Sequence, residues 1–283
     1  MKKKCLIYVV CYNHEKFILK TLERIPKSLA NKYIIEVLVA DDNSKDQTLN
    51  QAKKFNPGKF KFKIIYLKKN LGYGGNQKIG YFYSIKNNFD IVVLLHGDGQ
   101  YAPEYLPKLL KKFDENSYCA AVFGSRMIKS GSALSGGMPL YKFFGNKILT
   151  LIQNILLTSK LSEFHSGYRA YKVSYLKKIH FELNSNDYNF DTQIIIQLIL
   201  SKMKIVEIPI PTFYGDEISY VNGLKYAIQI VFESLKAKLH KINIINEIKF
   251  NQVENKKQKI LKNKIYSNFN KMINSSKQYS YKK

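Results

Sequence analysis

The residues best placed to do chemistry are His96, Asp98 and Gln100, which follow the apolar run Ile91-Val92-Val93-Leu94-Leu95. A short β-branched run closed by glycines reads as a strand buried on both faces. Alternate positions of an extended chain point the same way, so an imidazole, a carboxylate and an amide oxygen converge where the strand ends. That set suits a divalent cation, and Gly97 and Gly99 let a large ligand approach the backbone. The pair Asp41-Asp42 and the glycine loop Gly72-Tyr73-Gly74-Gly75 follow two other apolar runs in the same manner.

The elements that must carry these residues alternate. Strands are predicted over 6–10, 34–40, 62–67 and 91–95, and helices over 16–24, 47–54 and 77–87. Four β-α units in succession imply a mostly parallel α/β sheet with helices on both faces. In such sheets ligands bind beyond the carboxyl ends of the strands, where the acids and glycines fall. The second half is less regular. A strand is predicted over 119–123, apolar helices over 141–157 and 192–200, and an edge strand over 204–211 that carries Pro209 and Pro211. Leu224, Ala227, Ile228, Val231, Leu235 and Leu239 make one stripe at helical spacing.

The chain has 283 residues and a net charge of +25, almost all of it from lysine. Such a charge suits anionic surroundings: phosphorylated substrates, lipid headgroups or nucleic acid. Residues 236–283 hold thirteen lysines against two acids, and 241–283 reads as a basic Lys/Asn-rich tail, partly helical or disordered. Three cysteines without pattern exclude a disulfide framework and a zinc site, and fit a reducing cytoplasm. Neither a signal peptide nor a membrane-spanning run is visible. No nucleic-acid-binding motif appears, which argues against that partner.

The strand ends together resemble the family-2 glycosyltransferases of the GT-A (Rossmann-like) fold, and among them the dolichyl-phosphate mannose synthase-like group. The resemblance is carried by Tyr12-Asn13-His14-Glu15, by Asp41-Asp42-Asn43-Ser44-Lys45-Asp46-Gln47-Thr48, by Asn70 to Asn76, by Asp98-Gly99-Gln100, by Gly124-Ser125-Arg126 and by Ser166-Gly167-Tyr168-Arg169. It covers about residues 4–235 and places a catalytic domain over 1–240. It implies an inverting transfer of sugar from a nucleotide-diphosphate donor, with Mg²⁺ or Mn²⁺ as cofactor. Asp98 would be the principal metal ligand, with Gln100 assisting; Tyr12, Glu15, Asp41, Asp42, Gly72 and Gly74 would line the nucleotide site. Arg126 and Arg169 would neutralise the leaving diphosphate, and Asp191 or Asp187 would supply a general base if the acceptor is a sugar hydroxyl, none being required for a lipid phosphate. His96 stands where the family's metal motif has its first Asp, either as a nitrogen ligand or as a hydrogen-bonding group. His165 is a further candidate ligand.

The implied acceptor is a polyprenyl phosphate or another lipid-linked molecule in cell-envelope glycan synthesis, with a saccharide hydroxyl as the alternative. The apolar helices and the basic tail suggest a peripheral seat on the inner face of an anionic membrane. The contrasting readings are a non-catalytic nucleotide-sugar binder and a nucleic-acid-binding protein.

Overall fold

The computed structural model describes residues 2–129, 131–213, 223–251 and 256–281. The chain runs β1 (Lys4–Cys11), α1 (Ile18–Glu23), α2 (Leu29–Lys32), β2 (Ile34–Asp41), α3 (Thr48–Ala52), β3 (Lys61–Tyr66), α4 (Tyr73–Lys86) and β4 (Ile91–His96). It continues through α5 (Leu106–Glu115), β5 (Cys119–Ser125), α6 (Ser132–Ser135), α7 (Leu140–Leu157), β6 (Arg169–Lys172), α8 (Val173–Leu176) and α9 (Phe190–Leu200). Last come β7 (Lys204–Pro209), α10 (Gly223–Lys241), α11 (Lys256–Ser275) and β8 (Lys277–Tyr281).

The strands form one eight-stranded sheet in the order β7-β5-β6-β4-β1-β2-β3-β8. β1 lies parallel between β2 and β4, with Val10 beside Ala40 on one side and His96 on the other. Only β6 and β8 run against the rest. Strand alternation sends Cys5, Ile7 and Val9 into a core with α1, α2, α3 and α5, and Leu6, Tyr8 and Val10 into a second core with α4 and α9. Both faces are therefore covered, as the unbroken apolar strands require. β7 ends at Pro209, short of the expected 211, and that proline is tolerated because β7 is an edge strand.

The basic C-terminal segment is more ordered than its composition suggests. α11 presses Phe269 and Ile273 onto α4, with Tyr266 and Phe269 against Phe82. β8 then pairs antiparallel with β3, and Tyr281 stacks on Phe62 at 5.4 Å. α10 ends at Lys241, next to the boundary expected after residue 240, and the segment beyond it joins the same sheet through β8.

Candidate active site

The carboxyl ends of β1, β2 and β4 and the amino end of antiparallel β6 open on one edge of the sheet. Here β1 hands on to Tyr12–Glu15, β2 to Asp41-Asp42, and β4 to His96–Gln100. Arg169 starts β6 opposite Leu94, and Asp191 lies in the first turn of α9. The structure thus gathers the expected residues at one place, but gives several of them different work.

Asp41 is fully buried and accepts the Ser44 N–H at 2.8 Å, so it shapes the turn from inside. Asp42 accepts the Leu71 N–H at 2.8 Å. Burial raises its carboxyl to about 6, against weaker opposition from the Leu71 and Gly72 amides. Glu15 accepts the Gln47 N–H at 2.8 Å and its own amide donates to Asp46, which locks the β1 and β2 turns together. Tyr12 remains half-buried beside them.

The amides of the glycine loop are engaged within the chain. The Gly74 and Gly75 amides, the N-terminal donors of α4, both point to the Asn186 carbonyl, at 2.8 and 3.2 Å. A Cβ on Gly74 would lie 2.6 Å from Ser185 O and Phe190 Cβ, and one on Gly72 would lie 2.6 Å from Asn186 O. Close packing of the 185–190 segment gives these glycines a structural reason of their own. Lys78 clamps the same segment, donating to Asn186 Oδ1 at 2.8 Å and to the Asn184 carbonyl.

The two arginines are likewise turned inward. Arg126 is buried against the buried Glu163, whose carboxylate takes the Arg126 Nε at 2.9 Å, the Arg126 backbone N–H at 2.7 Å and Asn146 Nδ2 of α7 at 2.8 Å. Burial opposes the charge on Glu163, yet Arg126 holds its carboxyl below the ordinary range. Arg169 donates to the carbonyls of Ser166, Phe164 and Asp191 and pairs with Asp191 Oδ1 at 3.2 Å. With these partners and 1% exposure the Arg169 guanidinium lies beneath the site and not open to it.

Asp191 itself is committed. Oδ1 receives Gln77 Nε2 at 3.0 Å as well as Arg169, and Oδ2 receives the Tyr73 hydroxyl at 3.0 Å. Tyr73 also meets His96 Nε2 at 3.0 Å. Asp187 accepts the Ser185 hydroxyl and the Asn189 N–H. His165 bonds Tyr226 of α10 at 3.2 Å through Nδ1, and its Nε2 is buried without a partner.

What is left open is Asp98, half-buried and without an ion pair among the described residues; its Oδ1 accepts the Gln100 N–H at 3.0 Å. Beside it His14 holds a buried, unpartnered Nδ1 that lies 3.2 Å from where a Gly97 Cβ would sit. Burial lowers both His14 and His96, leaving neutral imidazoles at neutral pH. Among the described residues no three acids, histidines or cysteines converge on a point that holds a cation unaided. A carboxylate and bare ring nitrogens nevertheless suit one that brings diphosphate oxygens as its remaining ligands.

Tyr73, Gln77, Tyr101, Glu163 and His14 were not foreseen. Tyr101 accepts the Gly167 N–H at 2.7 Å and meets the His96 ring edge-on, with centroids 5.0 Å apart. Its position just after Gln100 was the available signal. Glu163 was visible only as an acid in a polar turn, and no local pattern ties it to Arg126.

The model of the family described as glycosyl transferase family 2 matches residues 6–180. The UDP-N-acetylglucosamine–dolichyl-phosphate N-acetylglucosaminyltransferase of Methanococcus voltae is 30% identical over 255 residues, covering 84% of this chain and 98% of that one. The undecaprenyl-phosphate mannosyltransferase of Micrococcus luteus is 25% identical over 249 residues, 83% of this chain and 99% of that protein. Among solved structures, glucosyl-3-phosphoglycerate synthase of Mycobacterium tuberculosis with UDP superposes with a TM-score of 0.61 at 13% identity, covering 92% of each chain. The same enzyme with Mn²⁺, UDP and glucosyl-3-phosphoglycerate gives 0.57 at 15% identity, covering 87% of this chain and 82% of that one.

Proposed function

The chain belongs to glycosyl transferase family 2, and on that premise we propose that it transfers a sugar from a nucleotide-diphosphate donor to a polyprenyl- or dolichyl-type lipid phosphate during cell-envelope glycan assembly. The observation that carries this reading is an apolar face left exposed on two adjacent helices. α7 buries Asn146, Thr150, Gln153 and Leu157 and exposes Leu140, Tyr141, Phe144, Ile148, Leu151 and Ile155, so its more apolar side faces out. α10 buries Ile230, Glu233, Ser234 and Ala237 and exposes Leu224, Ile228, Phe232 and Leu235. Exposed apolar surface on this scale marks an interaction face. Among the described residues no helix is long and apolar enough to cross a membrane. A face wetted by lipid chains, with Lys147 and Lys236 alongside at the headgroups, fits a peripheral protein on the inner side of an anionic bilayer. The same helices reach the site: Asn146 bonds Glu163, and Tyr226 bonds His165.

In the reaction an oxygen of the acceptor phosphate attacks the anomeric carbon from the face opposite the leaving group. The bond from that carbon to the donor's diphosphate breaks, its electron pair leaving with the nucleoside diphosphate, and the configuration inverts. Asp98, with Gln100 and His96, would hold Mg²⁺ or Mn²⁺, and that ion would neutralise charge on the departing diphosphate. Tyr12 and Asp42 flank the donor's nucleoside. A phosphate acceptor is already anionic and needs no base. That agrees with Asp191, both of whose oxygens are engaged, and disfavours a saccharide hydroxyl, which would need one.

The test is a panel of radiolabelled UDP- and GDP-sugars with undecaprenyl phosphate, dolichyl phosphate or soluble oligosaccharides as acceptors. Label should pass into the organic phase with a lipid phosphate; label appearing only on oligosaccharide would reject the lipid reading.

A further inference from the structure

We propose that Tyr73 is a positioning residue that fixes the tautomer of His96, so that His96 meets the divalent cation through a bare Nδ1 where the family motif offers a carboxylate. The inference rests on the donor reading above. The Tyr73 hydroxyl lies 3.0 Å from His96 Nε2 and 3.0 Å from Asp191 Oδ2. A phenol has one proton to give. Asp191 is paired with Arg169 at 3.2 Å and is ionised, so it can only accept. The phenolic proton therefore goes to Asp191, and the phenolic oxygen must accept from His96. That puts the single N–H of the neutral imidazole on Nε2 and the lone pair on Nδ1. Nδ1 makes no hydrogen bond among the described residues.

The ring has little freedom to turn. Tyr73 and Tyr101 both meet it edge-on, with centroids at 5.4 and 5.0 Å, and Tyr73 stacks on Tyr188 at 5.2 Å. Arg169, Asp191 and Tyr73 thus form a chain that ends on a nitrogen ligand two residues from Asp98. A second-sphere partner of this kind usually sets both the orientation and the basicity of a ligating histidine. The chemical consequence is selectivity. Mg²⁺ takes oxygen ligands, whereas Mn²⁺ accepts imidazole, so replacing a carboxylate by His96 shifts the site toward Mn²⁺.

The test begins on the ligand-free protein, by long-range proton–nitrogen correlation spectra in which the His96 signals are those lost in His96→Gln. Nδ1 is expected at the unprotonated position. Tyr73→Phe keeps the ring that stacks on Tyr188 and should abolish the fixed tautomer. With UDP and GDP as probes, Mn²⁺ should tighten binding at least about tenfold more than Mg²⁺ in the wild type, and Tyr73→Phe should narrow that ratio to about twofold. A protonated Nδ1 in the wild type, or equal enhancement by the two ions, overturns the proposal. If neither nucleotide binds, the donor reading fails, and the ligand-free spectrum still decides the tautomer.

Discussion

Replacing Ile148, Leu151 and Ile155 together by alanine should release the protein from anionic vesicles and leave its fold intact. The three side chains are 58%, 60% and 65% exposed and lie along one side of α7. Each substitution removes three carbons, about 2.4 kcal/mol of transfer free energy for a fully exposed side chain. Scaled by the exposed fraction this is about 1.4 kcal/mol each and about 4 kcal/mol for the set, or about a thousandfold in partition coefficient. Stability in solution should move by less than about 0.5 kcal/mol per site, because these groups are more than half exposed. Co-sedimentation with phosphatidylglycerol-rich vesicles measures the first quantity and urea unfolding the second. Unchanged partitioning, or a loss of several kcal/mol in stability, would refute the reasoning by showing that the face is covered by protein.

Two further outcomes follow from the site. Burial lifts Asp42 to about 6, so between its unfolded value and about pH 6 the native protein holds a proton the unfolded chain has lost. Stability from this group therefore falls as pH rises through that window. Asp42→Asn should unfold at equal or higher urea than wild type at neutral pH while binding nucleotide at least about tenfold more weakly. Wild-type nucleotide affinity should drop as pH falls through about 6, and a flat titration profile would contradict the role given to Asp42. Gly74→Ala should destabilise the protein by about 1–3 kcal/mol in thermal or urea unfolding, since its Cβ would meet Ser185 O and Phe190 Cβ at 2.6 Å. Unaltered stability with lost nucleotide binding would restore the loop as a phosphate cradle.

The catalytic edge was legible in the sequence because a parallel sheet directs every strand's following residues to one side. The apolar runs and their polar sequels, Asp41-Asp42 and His96–Gln100 above all, therefore located it. Local patterns carry no record of long-range pairing, so Arg126 and Arg169 read as free cations until the fold set Glu163 and Asp191 against them. The glycine loop is ambiguous for a related reason: a glycine that admits phosphate and one that admits a neighbouring carbonyl look alike in sequence. The α7 and α10 stripes were visible, but periodicity does not say which face is inside. The clue was Asn146, Thr150 and Gln153 at helical spacing on the opposite side. In the tail, the alternation of Tyr279 and Tyr281 with Gln278 and Ser280 marks β8, and the surrounding lysines and asparagines hid it.

The most direct test of the central claim follows the acceptor's phosphorus by ³¹P NMR in samples taken from a reaction of purified protein, Mn²⁺, a nucleotide-diphosphate sugar and a short-chain polyprenyl phosphate, each freed of Mn²⁺ by a chelating resin before the spectrum. The monoester resonance should convert to that of a sugar phosphodiester as free nucleoside diphosphate appears, and Asp98→Ala should slow the conversion by at least about a hundredfold. A monoester signal that persists with every donor, or conversion that proceeds equally in Asp98→Ala, would contradict the account.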